Sequence, residues 1–252
     1  MKKLLLIVAL LSPMLLIAQG DAPKKNKVGV DILHPLANER NDFERNLAQH
    51  NKEFHTGQGA VDIYEVLVGN HTGEYHFVFR NPNSWAGVET AFKASNDKSH
   101  AADWDMNVAK HLSGNSPFFI YEVSDDSYMS SNPADMQSEL MGLYLIDINP
   151  GMEEDFFSAL KKIKEMYQKS NSHNYYIVQT SAFDKGTQVV VVFPLAKGWA
   201  SFEPDPNAAW DKMFKAAFPK EDFKAFLKKF NSSQKTFESM VVKHRQDLSS
   251  PM

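Results

Sequence analysis

The 252-residue chain contains no cysteine. That excludes disulfides, thiol nucleophiles, thiolate metal sites and a lipid-modified cysteine anchor, so stability has to come from a packed core. A domain of this size can manage that, because disulfides become indispensable mainly in much smaller secreted domains. Basic residues are not in excess either. The 27 Lys and Arg stand against 31 Asp and Glu, for a net charge of −4, and no basic stripe runs along any segment. A nucleic-acid partner is therefore not expected. Beyond residue 17 no apolar run approaches the roughly 20 residues that cross a bilayer as a helix. Also missing are a Gly-x-Ser-x-Gly elbow, a Walker loop, a dinucleotide fingerprint and a His-Glu-x-x-His helix. Motifs therefore assign no catalytic residue, no metal ligand set and no cofactor.

What is present begins at the N-terminus. Basic Lys2-Lys3, the apolar run Leu4 to Ile17 and the small or polar Ala18-Gln19-Gly20 have the three-part layout of a secretory signal peptide. The run carries Pro13 and is too short to span a bilayer. Residues 1–20 are expected to be removed and the protein exported, to the periplasm or beyond, with no membrane span left after removal.

The remainder repeats itself, and a repeat governs how everything else is read. Phe79, Trp85, Ala86 and Glu89 recur as Phe193, Trp199, Ala200 and Glu203, each displaced by 114 positions. Trp104-Asp105 recurs as Trp210-Asp211, displaced by 106, so the second copy has a shorter intervening loop. Phe43, Leu47, His50 and Phe54 form an apolar helical stripe, and Phe156, Leu160, Ile163 and Tyr167 repeat its spacing. The matched tryptophans read as core pieces that anchor the second helical segment of each copy.

The pattern predicts strand 28–33, helix 39–55, strands 61–68 and 74–80, helical pieces within 84–112 and strand 117–123. The second copy predicts strand 141–148, helix 152–169, strands 174–182 and 187–193, helices within 207–230 and strand 235–244. The organisation is then a signal peptide at 1–20, a first repeat at 21–124, a linker at 125–139 and a second repeat at 140–248. Phe223, Phe226, Leu227 and Phe230, with lysines between them, add an amphipathic helix near 220–230 that is a possible contact for a protein partner.

Each copy has the order βαββαβ, the ferredoxin-like arrangement, which covers one sheet face with helices and leaves the other needing a partner. Two such units in one chain, with the strand, Pro150-Gly151 turn and helix start of Leu143 to Phe156, resemble the dimeric α+β barrel superfamily and its NIPSNAP-like and antibiotic-monooxygenase-like members. The resemblance implies an α+β fold in which two antiparallel sheets press face to face as an intrachain barrel. It is compatible with haem enzymes, cofactor-free monooxygenases and ligand-binding proteins.

Strand alternation then singles out Asp31, Glu65, His76, Arg80 and Glu122 as residues that could share the uncovered sheet face and bind a ligand. A one-residue slip would move any of them to the other face. Gln179, Gln188, Ser239 and Lys243 are milder counterparts in the second copy. Among nine histidines none forms a ligand set in sequence, and His50, which matches Ile163, reads as a packed core residue. His173 and His244 are conceivable as single axial haem ligands. The function expected is an exported, non-catalytic barrel binding a small, partly apolar ligand or a protein. The alternative is an oxidative enzyme, either haem-dependent or cofactor-free with His76 as base and Arg80 holding an anion.

Overall fold

A computed structural model describes residues 26–80, 84–95, 97–129, 138–172, 175–183, 187–204 and 209–251. The expected signal peptide, His173 and most of the linker lie outside these. In the first repeat, β1 (Lys27–Leu33), α1 (Arg40–Phe54), β2 (Val61–Val68), β3 (Tyr75–Phe79), α2 (Trp85–Ser95), α3 (Lys98–Asp103) and β4 (Phe118–Val123) follow in order. The second has β5 (Leu140–Ile148), α4 (Glu153–Lys169), β6 (Ile177–Ser181), β7 (Gln188–Pro194), α5 (Trp210–Ala217), α6 (Phe223–Ser232) and β8 (Gln234–His244). The sequence-based spans agree with these to within a few residues.

The eight strands close into a barrel in the order β1-β3-β2-β8-β5-β7-β6-β4. Each repeat contributes four contiguous strands, and all pairings are antiparallel. Two seams join the repeats. Tyr64 to Val68 pair with His244 to Val241 across one, and Tyr121 to Val123 pair with Ser181 to Gln179 across the other. The bare faces of the two sheets thus meet around a common interior, and closure leaves no free edge among the eight described strands.

The helices lie outside, each packed on its own repeat. Phe43 and Leu47 of α1 bury against Leu33, Ile63 and Tyr75, while Phe156, Leu160 and Ile163 of α4 bury against Ile146, Ile148 and Val178. A third cluster, inside the barrel, mixes Val30, Val66 and Tyr121 with Leu143, Val190, Met240 and Val242. Past β8 the chain crosses back onto the first repeat. Asn51 Nδ2 donates to the Leu248 carbonyl at 2.7 Å, and the Ser250 and Ser249 hydroxyls accept from the Val61 and Ile63 amides, both at 2.9 Å.

Two expectations are refined. The aromatic face of α6 packs on its own repeat, though none of its residues is fully buried. Phe223 and Phe226 lie against Phe214 of α5, with ring centroids 5.3 and 4.8 Å apart, and Phe230 stacks on Phe156 of α4. An extra helix carrying this much apolar surface gains more by covering its own repeat than by remaining in water. The matched tryptophans also divide. Trp104 packs on Phe77 and Trp210 donates to the Tyr167 hydroxyl, whereas Trp85 and Trp199 are about half exposed. Lys27 sits over the Trp85 ring, 5.3 Å from its centre. Among the described residues no helix is long and apolar enough to cross a membrane.

Candidate functional site

Eight strands make a barrel just wide enough either to fill with side chains or to hold one small molecule. Here the interior keeps a cavity of about 590 Å³. Its walls are the alternate residues of the strands: Val28, Val30 and Ile32 from β1, Phe119 and Tyr121 from β4, Leu143 and Leu145 from β5, Val190 and Val192 from β7, and Met240 and Val242 from β8. Period-2 alternation is why so many β-branched and aromatic residues converge on one space. The polar groups within it are mostly uncharged. They include Tyr64, Tyr175, Gln179, Gln188 and His76, and the Tyr121 hydroxyl donates to Gln188 Oε1 at 3.0 Å.

One end of the cavity is rimmed by His34, His71 and Glu74. Glu74 Oε1 lies 3.0 Å from His71 Nδ1 and 3.4 Å from His34 Nδ1, and His71 Nε2 lies 3.2 Å from Glu238. The hydrogen bond to Glu74 raises the His71 pKa. His76, one step deeper, goes the other way. Burial first, then the nearby His71 and His34, push it down to about 4, so it stands in the cavity as a neutral imidazole at ordinary pH.

Of the five residues expected to share the uncovered face, only His76 lines the cavity. Asp31, Glu65 and Glu122 sit one residue out of step with the lining residues of β1, β2 and β4, so their side chains leave on the outer, helix-covered side. The error is the one-residue slip to which strand parity is open. Glu122 there pairs with Lys27 at 2.7 Å. Glu65 joins Glu44 of α1 in an ion cluster with Arg40 and Arg245, where Arg245 Nη1 lies 2.8 Å from Glu65 and 2.9 Å from Glu44. Arg80, just past the end of β3, is absent from the cavity lining. It donates to Asp62 at 2.8 and 3.1 Å and to the Ser250 carbonyl at 3.1 Å, with His244 Nε2 also 3.3 Å from Asp62. In the second repeat Gln179 and Gln188 do face the cavity, while on β8 the lining residues are Met240 and Val242 rather than Ser239 and Lys243.

Among the described residues Asp31 has no hydrogen-bond or ion-pair partner. It stands opposite Phe77 and Phe118, and burial alone lifts its pKa to about 7. A carboxyl whose folded pKa exceeds its unfolded value near 3.8 costs stability as pH rises from about 4 to about 7, and the cost is then constant. Asp31→Asn is therefore expected to stabilise the protein above pH 7 by on the order of 2 kcal/mol, with little change at pH 4. Urea denaturation at the two pH values checks this, and equal shifts at both would show that ionisation is not the cause.

The fold also gathers histidines that the sequence keeps apart. His50 and His55 at the end of α1 and His100 on α3 are buried together on the outer side of the first repeat. Sequence inspection finds no ligand set because the third member lies 45 positions beyond the second.

Of the two histidines considered as axial haem ligands, His173 lies outside the described residues and His244 is engaged elsewhere. His244 stacks on Tyr64 and spends Nε2 on Asp62 and Ser249.

No protein-family model and no curated protein matches the sequence. Solved structures do match the shape. A provisionally assigned monooxygenase from Lactobacillus acidophilus NCFM superimposes with a TM-score of 0.51 at 14% identity, over 90% of this chain and 96% of that one. Another from Fusobacterium nucleatum gives 0.54 at 10% identity over 88% and 94%. An anthrone oxidase-like protein gives 0.54 at 9% identity over 88% and 92%. At such identities the likeness carries architecture and not activity. The chain has the fold of the dimeric α+β barrel superfamily, built here from two ferredoxin-like repeats in one polypeptide.

Proposed function

We propose that the barrel binds one small, largely apolar molecule bearing a hydrogen-bonding group, and that it does so outside the cytoplasm. The observation that carries the binding reading is the cavity of about 590 Å³, lined mainly by apolar side chains from both repeats, with uncharged polar groups inside and a rim of His34, His71 and Glu74. That size and lining are those of small-molecule sites. Neutral His76 and the Gln188–Tyr121 pair supply directional contacts, and the absence of Lys and Arg from the described lining disfavours a strongly anionic ligand. The export reading rests on the basic, apolar and small-residue layout of residues 1–20.

Binding is common to the retention and oxidation readings. The form of the oxidative reading that uses His76 as base and Arg80 as anion holder loses support. An imidazole held near pKa 4 is a weak base at neutral pH, and Arg80 is turned to Asp62 and the C-terminal segment.

The test is titration with an apolar fluorescent probe such as N-phenyl-1-naphthylamine, in the wild type and in Val190→Trp, which fills the cavity from its wall. One site per chain is expected in the wild type, with affinity at least about 10-fold weaker in the variant. Equal probe binding by a Val190→Trp protein of native circular dichroism would place the probe elsewhere and remove the reading. Dioxygen uptake in the presence of a bound phenol separates oxidation from retention of the molecule unchanged.

A further inference from the structure

His50, His55 and His100 are 1%, 4% and 8% exposed, and each turns Nε2 toward the other two. His50 Nε2 lies 3.2 Å from His100 Nε2, His55 Nε2 lies 3.1 Å from it, and the three atoms fall within 4.8 Å of one another. The opposite nitrogens of two of the rings are already committed. His50 Nδ1 is 2.7 Å from Asp103 Oδ2 and His55 Nδ1 is 3.0 Å from the Gly59 carbonyl. Both partners are acceptors only, so both Nδ1 atoms carry the proton and donate. Two bare Nε2 lone pairs therefore face a third Nε2 that can bring at most one proton. A proton serves one of them, whereas a cation at the centre serves all three.

We propose that His50, His55 and His100 bind a divalent transition-metal ion of the zinc class through their Nε2 atoms. A tetrahedral zinc ion with bonds of about 2.0–2.1 Å holds its nitrogens roughly 3.4 Å apart, close to the two shorter separations here. The surroundings agree with the chemistry. A ligating histidine characteristically donates its other N–H to a carboxylate or carbonyl, which fixes the tautomer and the ring orientation, and Asp103 and the Gly59 carbonyl occupy those places. Asp97 caps α3 by accepting from the Ser99 and His100 amides, which sets the turn that presents His100. Trp104, Phe54 and Phe77 lie edge-on or tilted around the rings at centroid distances of 5.0–5.4 Å and wall the site from solvent.

The site belongs to the first repeat alone, since Ile163 stands where His50 does. In the second repeat the helices are clamped by the aromatic stack of α5 and α6. The metal's role is to clip the end of α1 to α3 where that stack has no counterpart. It is independent of what the barrel holds.

The full chain, stripped with chelator and titrated with zinc and with cobalt(II), tests this. The expected result is one zinc per chain, a rise in Tm on adding zinc, and for cobalt the strong visible bands of a four-coordinate ion. His55→Asn and His100→Gln are each expected to weaken zinc at least about 100-fold, and Asp103→Asn, which keeps all three ligands and the fold, by about 10-fold. Absence of zinc binding by the stripped wild type, a weak six-coordinate cobalt spectrum, or wild-type affinity in both Asp103→Asn and His100→Gln would overturn the site and leave a proton-sharing histidine cluster.

Discussion

Replacing Arg245 by alanine is expected to lower stability by about 2–4 kcal/mol, because it strips half of the positive charge, and the less exposed half, from a partly buried cluster and leaves the carboxylates behind. Arg245 reaches Glu44 through both terminal nitrogens, at 2.9 and 2.8 Å, while Nη1 also meets Glu65 at 2.8 Å. Arg40 bonds both carboxylates from the other side, and the Tyr75 hydroxyl donates to Glu44. Two guanidinium groups balance Glu44 and Glu65, so the withdrawn part of the cluster is neutral, while Arg245 also pairs with the largely exposed Asp247 at 2.7 and 2.9 Å. With Arg245 gone, Arg40 alone faces two anions whose side chains are 12% and 19% exposed. Arg245→Lys keeps the charge but not the planar fork that binds two partners at once, and should recover only part of the loss. Urea denaturation at pH 7 reads both variants, and a loss below 1 kcal/mol for alanine would show the cluster to be solvated.

The same cluster fixes a pH window. Hydrogen bonds from Arg245 foremost, with Tyr75 and Arg40 adding to them against the opposing effect of burial, hold the Glu44 pKa down to about 2. A carboxyl depressed from about 4.5 contributes stability that is fully present above pH 4.5 and lost as pH falls toward 2. Wild type and Arg245→Ala should therefore converge as the solution is acidified through that interval. The charges also tie the repeats together, since Arg245 follows the last strand of the second repeat while Glu44, Glu65 and Arg40 belong to the first.

How much of this was legible in the sequence depends on the kind of signal. The duplication and the strand and helix order follow from local hydrophobic periods and matched positions, many of which the packing of each repeat demands, while the closed barrel was what the family resemblance implied. Side-chain facing on β1, β2 and β4 did not follow. Glu65 and Glu122 are charged yet lie under the helix layer, where Arg245 and Lys27 neutralise them, so polarity misled the choice of face. Asp31 is partly buried there with no partner among the described residues, which no periodicity rule anticipates. On β3, β6 and β7 the polar residues His76, Gln179 and Gln188 do point inward, because the cavity leaves them room. The histidine cluster was illegible for another reason: it is assembled across a helix end and a separate short helix, and tertiary proximity of that kind leaves no spacing to read.

Phe43→Ala and Phe156→Ala test whether the two repeats are one thermodynamic unit. The two phenylalanines are equivalent by repeat, one on α1 and one on α4, and neither has any exposed surface. Each fills the space between its helix and its own half of the barrel, and truncation should cost about 3–5 kcal/mol from lost burial and the cavity left behind. If the repeats were independent, each substitution would move only its own transition. The barrel argues otherwise. The strands of either repeat are hydrogen-bonded to the other at both seams, the inner cluster draws Val30 and Tyr121 from one side and Leu143 and Val242 from the other, and Leu248 of the second repeat is buried in the first. Unfolding one half would expose the other's inner wall and two strand edges, which places a penalty on any half-folded state. Both variants are therefore expected to show a single urea transition, displaced by similar amounts and coincident by circular dichroism and tryptophan fluorescence. Two separated transitions, with Phe43→Ala shifting one and Phe156→Ala the other, would mean that the seams are too weak to couple the halves and that the cavity between them can open by parting the repeats.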